Sequence, residues 1–362
     1  MKRRSLFFTL LCLALMFTAQ ARATDAPAAS AALPVVLPYR IGVLYWSMNI
    51  PGQVVMRQGL EAEAVRINRD AKSQGGRGVE LLPEVAGDGA AGIERQIAQM
   101  HEMVRRKPDV IIVQPTDNAA LAVPLKAANR AGIPVVAYDQ YISGGALAAY
   151  ITSDNRQAGY LDGEYIASLF PKNRPLRLVL VEYPLVSSTV ERLNGFLDAL
   201  RDQGTRYTVL KTYKAVEPVA GRRAGAAILR DFPQAGSIDA IFTVNDGGGL
   251  AIVEALAQAG RDEIAVASID GDPDSVANIR ASRLTRIDAA QFCGPLGAEA
   301  MRAAYAVARK QSVPRQVLVP VFPITAETLA NYPGWLGPIP ASFRKPWPSR
   351  SPVWRNQAQG RR

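Results

Sequence analysis

Residues 108–139 read PDVIIVQPTDNAALAVPLKAANRAGIPVVAYD. Two short apolar runs, Val110 to Gln114 and Pro134 to Tyr138, flank a stretch from Ala119 to Ala131 with helical spacing of its apolar residues. Continuous rather than alternating apolar runs predict strands covered on both faces. A strand–helix–strand unit of this length predicts a parallel pair.

The same alternation extends in both directions. Toward the amino end it predicts a strand from Arg40 to Tyr45, a helix over Val54–Asn68, a strand over Val79–Val85 and a helix over Ile93–Arg106. In that last helix Ile93, Ile97, Met100 and Val104 recur every three or four residues. Toward the carboxyl end, helices are expected at 157–170, 190–203, 219–231, 249–259, 274–281 and 294–310. Strands are expected between them at 176–181, 208–213, 240–244 and 265–269. So many units exceed one compact sheet. Two doubly wound, Rossmann-like α/β domains fit the length better.

In open parallel sheets ligands bind beyond the carboxyl ends of the strands. Here those ends are polar: Trp46, Ser47 and Asn49 after the first strand, then Gln114, then Asp139 and Gln140. In the second half Asn245, Asp270 and Gln291 stand in such places. Each alone is equally well a turn or a helix cap. Together they point to two rims facing one cleft.

Charge and cysteine content narrow the function. The formal charge is +10, but residues 1–23 hold four basic and no acidic residues and residues 331–362 hold six and none, leaving 32 of each sign in 24–330. A neutral body lacks the electrostatic footprint of nucleic-acid binding. Lys2, Arg3 and Arg4, the apolar run Leu6–Phe17 and the Ala21-Arg22-Ala23 end read as an export signal over 1–23. Leu11 before Cys12 argues against a lipid-anchored product, so a soluble secreted chain is expected. Residues 24–37 read as a flexible Ala/Pro lead-in. Cys293 is then the single mature cysteine, expected as a buried small hydrophobe. Residues 331–362, with Trp335, Trp347, Trp354 and six prolines, read as a partly disordered tail, with a strap on the body or a docking arm as alternatives.

Two motifs do not carry chemistry. Gly87-Asp88-Gly89-Ala90-Ala91-Gly92 spells a dinucleotide fingerprint, but it follows the second strand rather than the first, and it reads as a glycine turn with Asp88 as helix cap. His101, the single histidine, lies among charged residues on an outer helix face, so zinc sites and Ser-His-Asp triads are not expected. No cofactor or metal is implied. Asp139 and Asp270 could form an acid–base pair for glycoside cleavage, but binding proteins use the same carboxylates without chemistry.

The segments RIGVLYWSMNIPGQVVMRQGLEAEA (40–64), 108–139, ITSDNRQAGYLDGEYIA (151–167), ERLNGFLDAL (191–200), DAIFTVNDGGGLAIVEAL (239–256) and IDGDPD (269–274) resemble, in this order, the sugar-binding periplasmic proteins of the ribose and galactose type that serve ABC transporters. The resemblance runs from about Tyr39 to about Thr325. It implies a type I periplasmic-binding-protein fold of two lobes joined by a three-stranded hinge. One lobe is expected from 38–153 plus 292–320, the other from 154–291 plus 321–330. Ser153, Asp154 and Asn155 match the first hinge strand, and the other two are expected near Gln291 and Pro320.

Asp139, Asn245, Asp270 and Gln291 align with residues that bond sugar hydroxyls in that family, Gln114 stands for a family Asn, and Trp46 for an aromatic on the sugar face. Carboxylates and amides suit vicinal hydroxyls because charge-assisted hydrogen bonds are the stronger ones. The chain also departs from the pattern. Gln140 and Val190 replace two cleft arginines, Gly52 and Gln53 replace two phenylalanines, and Ile50 replaces a polar residue. Ribose itself is therefore in doubt, and a cleft without a matching arginine suits a small amine or amino-polyol between Trp46 and Tyr183 as well as a neutral sugar.

The resemblance implies a non-enzymatic, monomeric periplasmic protein delivering its ligand to a membrane permease. A receptor kinase or chemoreceptor reading the same closure is the alternative. A repressor built on this core would need an N-terminal helix-turn-helix where the export signal stands.

Overall fold

The computed structural model describes residues 37–356 and 359–361; the segments expected as export signal and lead-in, up to residue 36, lie outside the described residues. The chain runs β1 (Tyr39–Tyr45), α1 (Pro51–Ser73), β2 (Val79–Val85), α2 (Gly89–Arg106), β3 (Val110–Val113), α3 (Ala122–Arg130), β4 (Val135–Tyr138) and β5 (Ala149–Ser153). It continues through α4 (Asn155–Leu169), β6 (Leu176–Glu182), α5 (Ser187–Asp202), β7 (Tyr207–Lys214), α6 (Pro218–Asp231), β8 (Ala240–Thr243), α7 (Asp246–Gln258), β9 (Ala265–Asp270), α8 (Pro273–Arg280) and β10 (Thr285–Ala290). Last come α9 (Cys293–Ala308), β11 (Gln316–Val319), β12 (Phe322–Ile324) and the short β13 (Phe343–Arg344), β14 (Val353–Trp354) and β15 (Gln359–Arg361).

Two sheets result. The first has the order β15-β11-β5-β4-β3-β1-β2 and is parallel except at β15. The second has the order β12-β10-β9-β8-β6-β7 and is parallel except at β12. In each, the entering strand (β1 or β6) lies between the next two in sequence, which creates the switch point where doubly wound folds bind ligands. Strands β3 (VIIV) and β4 (VVAY) are buried along their whole length, as a sheet covered on both faces requires. The chain changes sheet after β5, after β10 and after β11, giving three crossovers, and returns after β12 through the tail to the first sheet at β15.

Helices close each sheet by backbone-to-backbone contact. A methyl group at Gly159 would overlap the carbonyl oxygen of Arg192, and one at Gly195 that of Arg156, so α4 and α5 touch directly. Gly297 on α9 meets Met56 on α1 in the same way.

Some elements differ from the sequence expectation. Helix α1 starts at Pro51, where proline's missing N–H costs nothing. Strands β5, β10, β11 and β12 have no bounds from the sequence, which marks only hinge positions at Ser153–Asn155 and near Gln291 and Pro320. They are short, and β10 (TRIDAA) carries Asp288 fully buried, which breaks the apolar signal. Asp88 stands at the start of α2 without capping it; its Oδ2 instead accepts from Asn49 Nδ2 at 2.8 Å. His101 is exposed and Cys293 is buried.

The tail is the largest departure. Its described part is not disordered but packed: Trp347 and Trp354 are buried, and β13 pairs with β14. Trp354 Nε1 donates to Val321 O at 2.8 Å, and its ring lies against Phe322 and Phe343. Prolines preset extended backbone, and the tryptophans supply the large apolar area that a disordered segment lacks. Among the described residues no helix is long and apolar enough to cross a membrane.

Candidate functional site

The tips of both sheets meet around a small cavity of about 20 Å³. The first lobe contributes Trp46, Ile50, Gln53, Met56, Asp139 and Gln140. The second contributes Ser188, Thr189, Arg192, Val216, Asn245 and Asp270, and Gln291 enters from the second crossover. The volume is room for about one water and far below the roughly 300–1,000 Å³ of ligand pockets, so a small molecule fits here only with the lobes further apart than in this closed arrangement.

Two carboxylates face each other in sequence logic. Asp139 follows β4 and Asp270 ends β9, the equivalent places in the two sheets. Both have a positive φ, +64° and +137° respectively, which a side-chain-bearing residue adopts at a cost. Such strain persists where surrounding structure enforces it, often at functional sites.

Their partners differ. Asp270 Oδ1 accepts from Arg192 Nη1 at 3.1 Å and from Gln291 Nε2 at 2.7 Å. Burial pushes its carboxyl up to about 7, against the pull of Arg192 and Gln291. Asp139 Oδ2 accepts from Gln114 Nε2 at 2.9 Å, while its Oδ1 is buried with no hydrogen-bond partner. Burial raises this carboxyl too, opposed by the more distant charge of Arg192 and by the side-chain amides of Gln114 and Gln140.

Of the nine predicted ligand residues, seven line the cavity, and Gln114 and Tyr183 do not. Gln114 stands behind Asp139, with Oε1 accepting from Trp46 N and the Tyr138 hydroxyl at 3.3 Å each. Tyr183 stacks on Trp46 across the lobes with ring centroids 6.4 Å apart. Asn245 lines the cavity while capping α7 through Gly248 N and donating to Val216 O at 2.9 Å. Gln53 Oε1 accepts from Ser47 N at 3.0 Å. Gln140 Oε1 accepts from Ser188 Oγ at 2.6 Å and so joins the lobes. Asn118 and Tyr141 of the first lobe bond Ser187 of the second, and the lobes are closed on one another.

At the crossovers Ser153 Oγ donates to Gln291 Oε1 at 2.7 Å. Asp154 caps α4 at Gln157 N, and Asn155 Oδ1 accepts from Arg192 Nε at 2.9 Å.

The expectation of a cleft without arginine is corrected by Arg192. It is 3% exposed, bonds Asn155, Val244 O and Asp270, and compensates the charge of Asp270. The signal was present: Arg192 precedes Gly195 and Phe196 by about one turn and shares their buried face. A set of buried carboxyls behind the cavity was also missed. Gly271 N donates to Asp288 Oδ1 at 2.9 Å and Asp272 N to Asp246 Oδ2 at 2.8 Å, fixing the turn that carries Asp270. Burial raises Asp162, Asp246 and Asp288. Among the described residues no cluster of His, Cys, Asp and Glu is arranged to hold a metal ion.

The sequence profile of the periplasmic binding protein domain matches residues 41–312. The chain belongs to the periplasmic binding protein family. The ribose import binding protein of Bacillus subtilis is 27% identical over 264 residues, 72% of this chain and 80% of that one. An ABC transporter periplasmic solute binding protein of Actinobacillus succinogenes, solved with bound D-allose, shares the fold with a TM-score of 0.67 at 24% identity, over 82% of this chain and 100% of that one. The Caulobacter myo-inositol binding protein, solved with myo-inositol, gives a TM-score of 0.68 at 24% identity, over 81% and 95% of the two chains. In these family terms, the two closed lobes and the three crossovers are the two-lobe, three-stranded-hinge architecture.

Proposed function

We propose that the chain captures one neutral monosaccharide or cyclic polyol by closure of its lobes and hands it to an ABC permease in the periplasm. The observation that carries this reading is the pairing in the cavity. Asp270 is already compensated by Arg192, whereas Asp139 Oδ1 is buried without a partner beside the cavity. An unsatisfied buried acceptor is costly, and a ligand hydroxyl satisfies it. Trp46 supplies an apolar face for the ligand's C–H groups. The relatives named above carry ribose, D-allose or myo-inositol in their descriptions, which supports this ligand class.

The protein is read as non-enzymatic and as a monomer. Its histidine lies on an outer face and its cysteine thiol is buried, which leaves the cavity without a nucleophile activated by a base. A permease is preferred to a sensor kinase because a matching relative is described as an import protein.

A second reading rests on Asp139. It has no cation within hydrogen-bonding distance, so an amino-polyol can bind there as an ion pair. A thermal-shift screen of D-ribose, D-allose, myo-inositol and their amino analogues separates the two, because a ligand of the native state raises the melting temperature. Stabilisation by a neutral sugar or polyol is expected; stabilisation by amines alone overturns the neutral-ligand reading.

A further inference from the structure

The extension beyond β12 touches the binding site and both lobes. Trp335 Nε1 donates to the main-chain oxygen of Asp270 at 2.6 Å, and the Tyr332 hydroxyl donates to Gly271 O at 3.3 Å. These are consecutive carbonyls of the positive-φ turn that carries the ligand carboxylate, with φ of +137° and +78°. On the first lobe, Gly294 N at the start of α9 donates to Trp335 O at 3.1 Å. The Trp335 ring lies 3.9 Å from where a Cβ of Gly52, on the cavity wall, would stand.

Further along, the same segment locks onto the second lobe. Lys345 Nζ and Trp347 Nε1 reach Glu164 Oε2 at 2.5 and 2.9 Å, and Ser349 Oγ reaches Oε1 at 2.5 Å. Glu164 and Lys345 are 0% and 7% exposed. Trp354 then bonds Val321 O at the third crossover, and β15 adds itself to β11 in the sheet of the first lobe. The family profile ends at residue 312, before all of this.

We infer that residues 331–356, together with β15, are a built-in brace that spans the hinge, in which Trp335 and Tyr332 act as positioning residues for Asp270 and the Lys345–Glu164 lock holds the lobes near their closed separation. Opening the lobes moves α9 away from the Asp270 turn. Trp335, bonded to both, resists that movement directly. The brace adds two donors to the carbonyls of a turn whose N–H groups Asp288 and Asp246 already hold. The inference rests on the hinge closure proposed above, but not on the identity of the ligand.

The test uses the chain from residue 24 on, without the expected export signal and its Cys12 and without ligand, spin-labelled through H101C on α2 and R222C on α6, both exposed. Cys293 is buried and stays unlabelled. Electron–electron resonance distances are compared for the otherwise unchanged chain, W335F, which keeps a ring and loses the donor, and K345M, which breaks the lock. A melting curve confirms that each is folded. A mainly short distance with a minor longer population, through which ligand enters, is expected for the unchanged brace; the longer population grows most in W335F and K345M and less in Y332F. If the folded variants superimpose on the unchanged brace, the inference is overturned; should W335F not fold, K345M and Y332F decide it. Failure of every sugar in the thermal-shift screen overturns the ligand proposal and leaves these distances standing.

Discussion

The two lobes solve one problem in two ways. Each places an aspartate in strained backbone at the tip of the fourth strand of its sheet, Asp139 after β4 and Asp270 at the end of β9. The second lobe surrounds its carboxylate with Arg192, Gln291 and a turn fixed on Asp246 and Asp288. The first lobe gives its carboxylate only neutral amides, Gln114 on Oδ2 and Gln140 nearby, and leaves Oδ1 without a well-formed hydrogen bond. One lobe therefore presents a finished, compensated group, and the other an acceptor that the ligand completes.

The sharpest way to break this comparison is Arg192→Met. Removing one partner of a buried ion pair leaves an uncompensated charge, and a loss of about 3–5 kcal/mol is expected in denaturant unfolding. A loss under about 1 kcal/mol means that Asp270 does not depend on Arg192, and the asymmetry is gone.

Alanine at each aspartate sharpens it further. Asp139→Ala is expected to cost about 1–3 kcal/mol of ligand binding in calorimetry, with stability unchanged or improved, because a poorly solvated acid is removed. Asp270→Ala is expected to lower binding and stability together, since Arg192 and Gln291 lose their acceptor. Equal behaviour of the two variants refutes the division of roles.

The pH dependence follows from the buried acids. Asp270 is raised to about 7 and Asp272 to about 6, and Asp162, Asp246 and Asp288 are raised by burial as well. Such acids bind more protons folded than unfolded. Their stabilisation is complete below about pH 4 and is withdrawn as pH rises through about 6–7. Asp239 and Glu263 are depressed and lose theirs only in stronger acid. The melting temperature is therefore expected to fall by roughly a few degrees between pH 5 and pH 8. A flat profile means that Arg192 holds Asp270 ionised throughout.

The smallest effect belongs to the closing contact. Tyr183→Leu removes the stack on Trp46 and is expected to weaken binding by about 0.5–1.5 kcal/mol.

How much of this was legible follows from how the signals are encoded. Both sheets could be read because β3 and β4 are apolar throughout and β1, β6, β8 and β9 each hold an apolar run of three to five residues. Strand β10 was not, because Asp288 is buried for the sake of Gly271 rather than for the sheet. Strand tips revealed Asp139 and Asp270 because polar residues after apolar runs stand out. Arg192 escaped because it sits mid-helix, where an arginine looks like a solvated face until the approach of α4 to α5 is known. The tail escaped because its prolines and arginines have the composition of a disordered chain, and only the partners of its tryptophans and of Lys345 show otherwise.

The bare glycine contact between α4 and α5 has a consequence for how this binding site can be damaged. Arg192 and Asn155 ride on those two helices, and Gly159 and Gly195 set how closely the helices come. A single methyl there wedges the pair apart and turns the guanidinium away from Asp270. Affinity can thus be abolished from the rear of the lobe by a residue that no ligand ever meets, and a search confined to the cavity wall would overlook the cause.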